Sequence, residues 1–437
     1  MNRRHPPALL VGLLLACFAI EAPAVDLLQV YRDAKDGDPQ LRAADASRQA
    51  AGENKPQAIA NLLPQIGASL ERDHDSAVRG LNGVSSYNSH SYGVTLTQPI
   101  FRKENYVQLR RADALVGQAE ADYADADQQF LLRVATRYFT VLASLDNLRF
   151  ARAEKDAVAR ELEQARRRFD VGLVTVVDVQ EAQARHDLTV AQEITAENTL
   201  EDAREALRVV TGQEYGSLDE LGERMPLKMP DPARVDPWID RALANNPTLR
   251  SALQAADAAK ETVDLQRAGH YPSLDLVASH YDNDFGPRGG DLSGNRVGIQ
   301  VNIPLFQGGA VTSRTRQAAY QHEAAREQVE ATQRDIVRQV RNAHRGQQAA
   351  ISQVKALKQA LVSNRSSLDA TRAGLDVGTR TIVDVLDAER ELYRAERDYA
   401  KARYDYVLNR LLLKQAAGDL GEADLVEINA WLQRPKS

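Results

Sequence analysis

The sequence predicts a mainly α-helical protein in which long coiled-coil helices are joined to four strands of a membrane β-barrel. Three observations lead to this fold class. The 437-residue chain repeats itself, each half contains a long tract without proline, and four short segments alternate apolar with polar residues. The long tracts are rich in Ala, Gln, Arg, Glu and Leu, a composition typical of helices that pack through small side chains.

The chain consists of two copies of one domain-sized unit. The stretches FDVGLVTVVDV and LDVGTRTIVDV contain Gly172 and Gly378, which are 206 positions apart. GDPQLR and NNPTLR, near the start of each half, are 208 positions apart. This period is far longer than the repeat of a solenoid protein, so we expect two whole structural repeats, at 25–232 and 233–437.

Each repeat is predicted to contain two long helices. In the second repeat, apolar residues recur at both seam positions of a heptad pattern, which indicates a coiled coil. These residues are Val329, Ile336, Ala343, Ala350 and Leu357 at one position and Val340, Val354, Leu361, Leu368 and Leu375 at the other. A helix of about 65 residues is ~100 Å long, so it must be a rod packed on other rods. The helices are predicted at about 103–168, 175–211, 310–374 and 381–417.

Period-two alternation predicts a pair of strands in each repeat. Polar, glycine-rich stretches at 73–90 and 282–296 predict a long loop within each pair. Pro99 and Pro304 are expected where strand passes into helix. The strands are predicted at about 65–76, 89–100, 273–284 and 295–306.

Four strands with one apolar face cannot form a closed membrane barrel by themselves. Known membrane barrels have about eight strands or more, so a barrel would require several chains. Two chains would supply eight strands, and three would supply twelve and room for a pore. The alternative is a small sheet that caps a coiled coil. We favour the barrel because no amphipathic segment is available to cover the apolar face.

The N-terminus has the pattern of an export signal at 1–24. Arg3 and Arg4 precede a short apolar run, and the small residues of APA at 22–24 resemble a cleavage site. Cys17, the single cysteine, lies within this segment. Lipidation of Cys17 is a second reading of the same stretch.

Composition and motifs point away from several other functions. The formal net charge is −6 and no block of Lys or Arg stands out, so we expect no nucleic-acid partner. The eight histidines show no metal-ligand spacing, and neither a nucleophile elbow nor a phosphate loop occurs. We therefore expect no enzyme, no cofactor and no structural metal.

The two repeated motifs predict tight helical hairpins. In each copy a glycine can take the left-handed conformation that ends a helix. A Thr-x-x-Asp sequence follows, which is the pattern of a capping box that starts the next helix. These hairpin-turn residues are Gly172, Thr175 and Asp178 in the first copy and Gly378, Thr381 and Asp384 in the second.

The second copy carries an additional carboxylate. Asp387 follows Asp384 by three residues and therefore lies on the same face of the helix. Carboxylates brought together around a symmetry axis would repel one another and attract cations. The first copy has Glu181 at the position that corresponds to Asp387, so a further acidic tier is possible there.

Several features of the sequence together resemble the TolC family of outer-membrane exit ducts. They are the duplicated plan, the strand exits at the two prolines, and the stretches NNPTLR, VGLVTVVDVQ and VGTRTIVDVLDA. The resemblance implies a homotrimer in the outer membrane of a Gram-negative bacterium, with a 12-stranded β-barrel and a periplasmic α-barrel tunnel. It also implies an equatorial belt at 211–232 and 420–433. The implied partners are a periplasmic adaptor and an inner-membrane transporter, either proton-driven or ABC-type, for multidrug efflux or type I secretion.

The same resemblance assigns roles to the hairpin tips. It places a cation-binding constriction of the periplasmic entrance at Asp384 and Asp387. It also implies a gate latch that includes Asp178, Arg380, Glu161 and Leu375. Leu375 stands where the best-known member of the family has a tyrosine.

A soluble periplasmic coiled-coil adaptor is the rival interpretation. Adaptors also contain long helical hairpins. They lack four alternating strands with aromatic residues near the strand ends, as Tyr92, Phe101, Tyr271 and Phe306 are here.

Overall fold

The computed structural model describes residues 24–80, 83–223, 225–284 and 290–435, and the side chains of these residues outside 75–87. The predicted export signal, except for its last residue, and the alternative of a lipidated Cys17 lie outside the described residues. The strands are β1 (Gln65–Gly80), β2 (Gly83–Phe101), β3 (Glu220–Leu221), β4 (Ser273–Asp284), β5 (Asp291–Asn302) and β6 (Leu432–Gln433).

Four helices dominate the fold. α4 (Lys103–Asp170) and α8 (Ala310–Asp376) have 68 and 67 residues, so each is ~100 Å long. Each is followed by a shorter antiparallel partner, α5 (Val176–Thr211) or α9 (Ile382–Ala416). The remaining helices are α1 (Leu27–Gly37), α2 (Pro39–Gly52), α3 (Asn54–Ala60), α6 (Asp236–Asn245), α7 (Pro247–Ala268) and α10 (Glu422–Asn429).

The long helices pack as two hairpins side by side. The first hairpin consists of α4 and α5, the second of α8 and α9, and α4 contacts α9. α7 fills the space between α4 and α8 beyond the ends of α5 and α9. The predicted seam of α8 is the buried side of the helix, since Ile336, Val340 and Val354 are all at most 3% exposed.

Two short helices begin as the repeated Asp-Pro and Asn-Pro dipeptides indicate. Asp38 accepts a hydrogen bond from the backbone N–H of Gln40 at 2.7 Å, with proline at the first position of α2. Asn246 accepts the equivalent bond from Thr248 at 3.0 Å at the start of α7. These caps satisfy backbone groups that have no partner within the helix.

The strands of the two repeats form one antiparallel sheet in the order β1-β2-β4-β5. β1 and β2 pair as far as Gly80 and Gly83, and β4 and β5 as far as Asp284 and Asp291. The prediction of long loops at 73–90 and 282–296 is therefore wrong. Small and polar residues pair through their backbone groups as apolar ones do, so their composition did not reveal the longer strands.

The ends of the strands near the helices also differ from the prediction. Pro99 lies within β2, where the register with β4 shifts between Pro99 and Phe101. β5 ends at Asn302, two residues before Pro304, and not at 306 as predicted. A proline cannot donate a backbone hydrogen bond, so it favours the end of a strand or an irregular position.

The sheet has one apolar and one polar face. The register places Ile66 beside Leu96, Leu96 beside Ala278 and Leu276 beside Ile299. On this face Ile66 and Ile299 are 72% and 65% exposed. The opposite face carries polar side chains, namely Gln65, Thr97, Thr95, Ser279, Arg296, Asp275 and Gln300.

A belt of short elements surrounds the middle of the helical rods. β3 pairs with β6, so the segment after α5 meets the C-terminal segment. Val25 forms a bridge with Leu218. These contacts join the largest buried cluster among the described residues, which includes Phe130, Tyr138 and Tyr406. Among the described residues, none of the helices is both long and apolar enough to span a bilayer.

Candidate functional site

The site lies at the tips of the two hairpins, which have closely similar backbones. Gly172 and Gly378 both have φ of 76°, a left-handed conformation that a side chain would strain. In both copies a threonine then caps the following helix. Because each connection is only a few residues long, the side chains just beyond it are held at the end of the rod.

The capping boxes are complete in both hairpins. Asp178 accepts a hydrogen bond from the Thr175 backbone N–H at 2.7 Å, and the Asp178 N–H donates to Thr175 Oγ1 at 3.3 Å. Asp384 and Thr381 make the same contacts at 2.8 and 3.2 Å. Reciprocal bonds of this kind fix the first turn of each helix.

The cap keeps Asp384 ionised. Hydrogen bonding from the Thr381 backbone lowers the pKa of Asp384 below its ordinary value, with a smaller contribution from Arg380. Arg380 Nη1 lies 3.9 Å from Asp384 Oδ1. Asp384 is therefore a fixed anion near the end of the second hairpin.

Asp387 has a partner that sequence reasoning missed. Its Oδ1 accepts a hydrogen bond from Arg185 Nη2 at 2.7 Å, across the boundary between the two hairpins. Arg390, one turn further along α9, lies 3.6 Å from the same oxygen. Glu181 is exposed on α5, one turn before Arg185. The carboxylates predicted for the constriction thus lie near one another along α9, but Asp387 is paired and Asp384 is mainly engaged in its cap.

The predicted latch pair is not formed within one chain. Among the described contacts of this chain, Arg380 approaches Asp384, and Asp178 is bonded to Thr175. Arg380 also packs over Gly374.

The other two predicted latch residues lie further from the tip. Leu375 packs beside a small apolar cluster that contains Leu368, Val385 and Leu392, so it contributes apolar contact and no hydroxyl group. Glu161, on α4, faces Arg372 of α8, with Glu161 Oε1 and Arg372 Nη2 4.0 Å apart.

Arg372 joins two buried carboxylates. Its guanidinium donates to Oε1 of Glu389, a fully buried residue of α9, and it also faces Glu161, which is 9% exposed. The Oε2 atoms of Glu161 and Glu389 are buried without a hydrogen-bond partner. Burial raises the pKa of both carboxyl groups, and the charge of Glu161 raises that of Glu389 further. We call Glu161, Arg372 and Glu389 the buried triad.

Apolar contacts hold the hairpins together beside the triad. Val158 and Leu162 of α4 form a buried cluster with Ile382 and Leu386 of α9. The two carboxylates of the triad therefore lie in a region of low dielectric constant, where unpaired charge is costly. Among the described residues, no group of three or more His, Cys, Asp or Glu side chains is arranged to hold a metal ion.

Comparison with known proteins places the whole chain in one family. The model of the outer membrane efflux protein family matches residues 30–213 and 238–419, one segment in each repeat. The outer membrane protein TolC of Escherichia coli (strain K12) is 39% identical over 98% of this chain and 89% of that protein. TolC of Vibrio cholerae is 40% identical over 94% of this chain and 95% of that protein.

A more distant relative agrees with this assignment, and two solved structures share the fold. The alkaline protease secretion protein AprF of Pseudomonas aeruginosa is 32% identical over 97% of this chain and 91% of its own length. The structure of VceC from Vibrio cholerae has a TM-score of 0.76 at 20% identity, covering 90% of this chain and 96% of that one. The outer-membrane channel OprN has a TM-score of 0.78 at 21% identity, covering 90% of both chains. These structures confirm the predicted fold class, and the chain belongs to the outer membrane efflux protein family.

Proposed function

We propose that the protein is a homotrimeric channel-tunnel of the Gram-negative outer membrane, which serves as the exit duct of a tripartite efflux or type I secretion system. The observation that carries this proposal is a sheet with one exposed apolar face, joined directly to helices ~100 Å long. A soluble protein would cover such a face. A rod of this length reaches far beyond the membrane, as a tunnel across the periplasm would.

The apolar face runs diagonally across the sheet, as tilted membrane strands require. The row through Ala68, the middle of the apolar stretch of β1, meets β5 at Asn295. The apolar residues of β5 are Val297, Ile299 and Val301, so their middle is displaced by about four residues across three strand spacings. With ~3.3 Å per residue and ~4.8 Å between strands, the strands are tilted by roughly 43°. Membrane strands are tilted by about 45°.

Both edges of the chain are available for a neighbouring copy. β1 and β5 are the edge strands of the sheet, and α5 and α8 are the edge helices of the two hairpins. Leu188 and Ile194 on α5, and Tyr320 and Val362 on α8, are exposed apolar side chains. Three copies joined through these edges would close twelve strands and twelve helical segments into continuous walls.

The names of the relatives indicate two kinds of cargo. AprF is a secretion protein for alkaline protease, and BepC of Brucella suis, 26% identical, is an outer membrane efflux protein. We infer that this chain works with a periplasmic adaptor and an inner-membrane transporter, which is proton-driven or of the ABC type. The transporter would select the substrate, since the duct itself is a passive pore.

We assign the entrance constriction to Asp384 and Asp387 and the latch to Asp178 and Arg380. α5 of one copy would face α8 of the next, so Arg380, in the turn that follows α8, would pair with Asp178 of a neighbour. Glu181 would form a further acidic tier. Leu375 supports closure only through apolar contact, since it has no hydroxyl group.

The constriction is tested by cation block. The purified protein should form trimers that conduct in a planar lipid bilayer, and a trivalent cation added from the hairpin side should block them. Asp384→Ala with Asp387→Ala is expected to raise the half-blocking concentration by more than tenfold, because six carboxylates are lost per trimer. Asp202→Ala with Asp369→Ala removes equal charge from exposed sites and should leave block within twofold. Equal block in both variants would place the cation site elsewhere.

The latch is tested by conductance alone. Arg380→Ser should raise the single-channel conductance severalfold, because the proposed contact with Asp178 of the next copy is lost in three places. Arg394→Ser is the matched control. Arg394 is an exposed arginine of α9, further from the hairpin turn than Arg380, and it pairs with Glu391. This variant should have the conductance of the wild type. Unchanged conductance in Arg380→Ser would refute the latch. A monomer found in the soluble periplasmic fraction would instead support the adaptor interpretation.

A further inference from the structure

The contact between Arg185 and Asp387 links the first hairpin to the proposed constriction. Arg185 lies on α5 and Asp387 on α9, and their side chains are 31% and 46% exposed. The 2.7 Å distance between Arg185 Nη2 and Asp387 Oδ1 is that of a charge-assisted hydrogen bond. Because this contact joins the two hairpins, it breaks when they move apart.

The two carboxylates of the constriction therefore differ in how far their charge is compensated. Asp387 faces Arg185 at 2.7 Å and Arg390 at 3.6 Å. Asp384 has its nearest guanidinium, that of Arg380, at 3.9 Å. A solute cation that approaches Asp387 has to compete with Arg185 for the same oxygen, whereas at Asp384 it competes mainly with hydrogen bonds of the cap.

We propose that Arg185 sets the cation affinity of the entrance by acting as the counter-ion of Asp387. The inference rests on the function proposed above and names the residue that tunes its entrance. While the hairpins are in contact, three of the six carboxylates of a trimer are compensated. When the hairpins separate, the Arg185–Asp387 contact breaks, and Asp387 keeps only the more distant Arg390 of its own helix beside it, so a cation binds there more readily. Opening therefore makes the entrance more attractive to cations.

The experiment measures block of the purified trimer by Gd³⁺ in a planar bilayer. Arg185→Gln is expected to lower the half-blocking concentration by roughly fivefold to tenfold, since each of three partly exposed pairs contributes a modest factor. Arg185→Lys retains a cation near Asp387 and should stay within twofold of wild type. Arg166→Gln removes an arginine from the other helix of the same hairpin, one that bonds Gln183 and not Asp387, and should also stay within twofold.

A double variant separates this effect from a general loss of positive charge. In the background Asp387→Asn, the further change Arg185→Gln should no longer lower the half-blocking concentration, because the carboxylate that Arg185 compensates is gone. A fivefold decrease that persists in this background would overturn the proposal.

The remaining outcomes distinguish this role from the constriction itself. If Gd³⁺ blocks the wild type and the double alanine variant of Asp384 and Asp387 abolishes block, the constriction stands. If the half-blocking concentration of Arg185→Gln then equals that of Arg166→Gln, the role of Arg185 is refuted and the constriction is not. A wild-type channel that Gd³⁺ does not block refutes both.

Discussion

Replacing Arg372 with leucine is expected to speed amide hydrogen exchange in the first turns of α9 by roughly a hundredfold at pH 8. The change removes the cation between Glu161 and Glu389 and leaves two carboxylates in an apolar environment. Breaking a buried ion pair by removing one partner costs about 3–5 kcal/mol. Arg372 is half-exposed, so we take the lower end, and about 3 kcal/mol corresponds to a factor of a hundred or more.

Arg365→Leu is the matched control for this change. Arg365 lies seven residues before Arg372 on the same helix, and it pairs with Glu396 at 3.1 Å at the surface. An exposed pair contributes at most about 1 kcal/mol, so exchange should rise by less than fivefold. If Arg372→Leu and Arg365→Leu accelerate exchange equally, the buried triad has no special importance for hairpin packing.

The effect of Arg372→Leu should also depend on pH. Burial raises the pKa of Glu161 and Glu389, so the folded hairpins favour the protonated carboxyl groups. Their contribution to stability is present below the ordinary pKa of 4.5 and is lost as pH rises through the raised values. After correction for intrinsic exchange rates, the loss of amide protection in Arg372→Leu should be smaller at pH 5 than at pH 8. Adding Glu389→Gln should restore part of the protection at pH 8.

The hairpin tips show what local sequence can predict. Gly172, Gly378 and the two capping boxes depend on contacts between residues at most a few positions apart. Such contacts are visible in the sequence because the same side chains would make them in any tertiary context. The heptad seam of α8 is predictable for a related reason, since its period alone decides which side of the helix is buried.

The ion pairs of the site could not be predicted in the same way. Arg185 and Asp387 are 202 positions apart, and the triad joins α4, α8 and α9. Which charged side chains meet depends on the axial register of one hairpin against the other. A shift of one helical turn would exchange every partner, and no local pattern fixes that shift. The family resemblance pointed to Glu161 but to neither Arg372 nor Glu389.

The sheet was predictable only in part. Alternation identified all four strands and the face of each, because the period of two is a local property. The pairing beyond residue 76 was missed, because polar residues at the outer ends of β1 and β2 alternate too weakly in hydrophobicity. The pairing of β2 with β4 joins the two repeats and is a long-range feature that alternation within each strand does not predict.

Ile299→Arg should nearly abolish heat-resistant trimers in the outer-membrane fraction, whereas Gln300→Arg should leave them abundant. The two residues are neighbours on β5 and point to opposite faces of the sheet. Ile299 pairs with Leu276 on the apolar face, with Val297 and Val301 on either side along the strand. Arginine on a lipid-facing strand near the middle of the bilayer costs about 2–4 kcal/mol, and a trimer would incur this cost three times.

Gln300 tests whether the strand tolerates an arginine at all. It is exposed on the polar face, so an added guanidinium can extend into water, while its ladder partner Asp275 is already bonded to Arg102. Trimers would be counted by electrophoresis of unheated membrane extracts. A small sheet that caps a soluble coiled coil exposes both positions to water, and it would tolerate both changes equally. Equal trimer yields from the two variants would therefore contradict the membrane barrel, whereas a large difference would show that lipid contacts the Ile299 face alone.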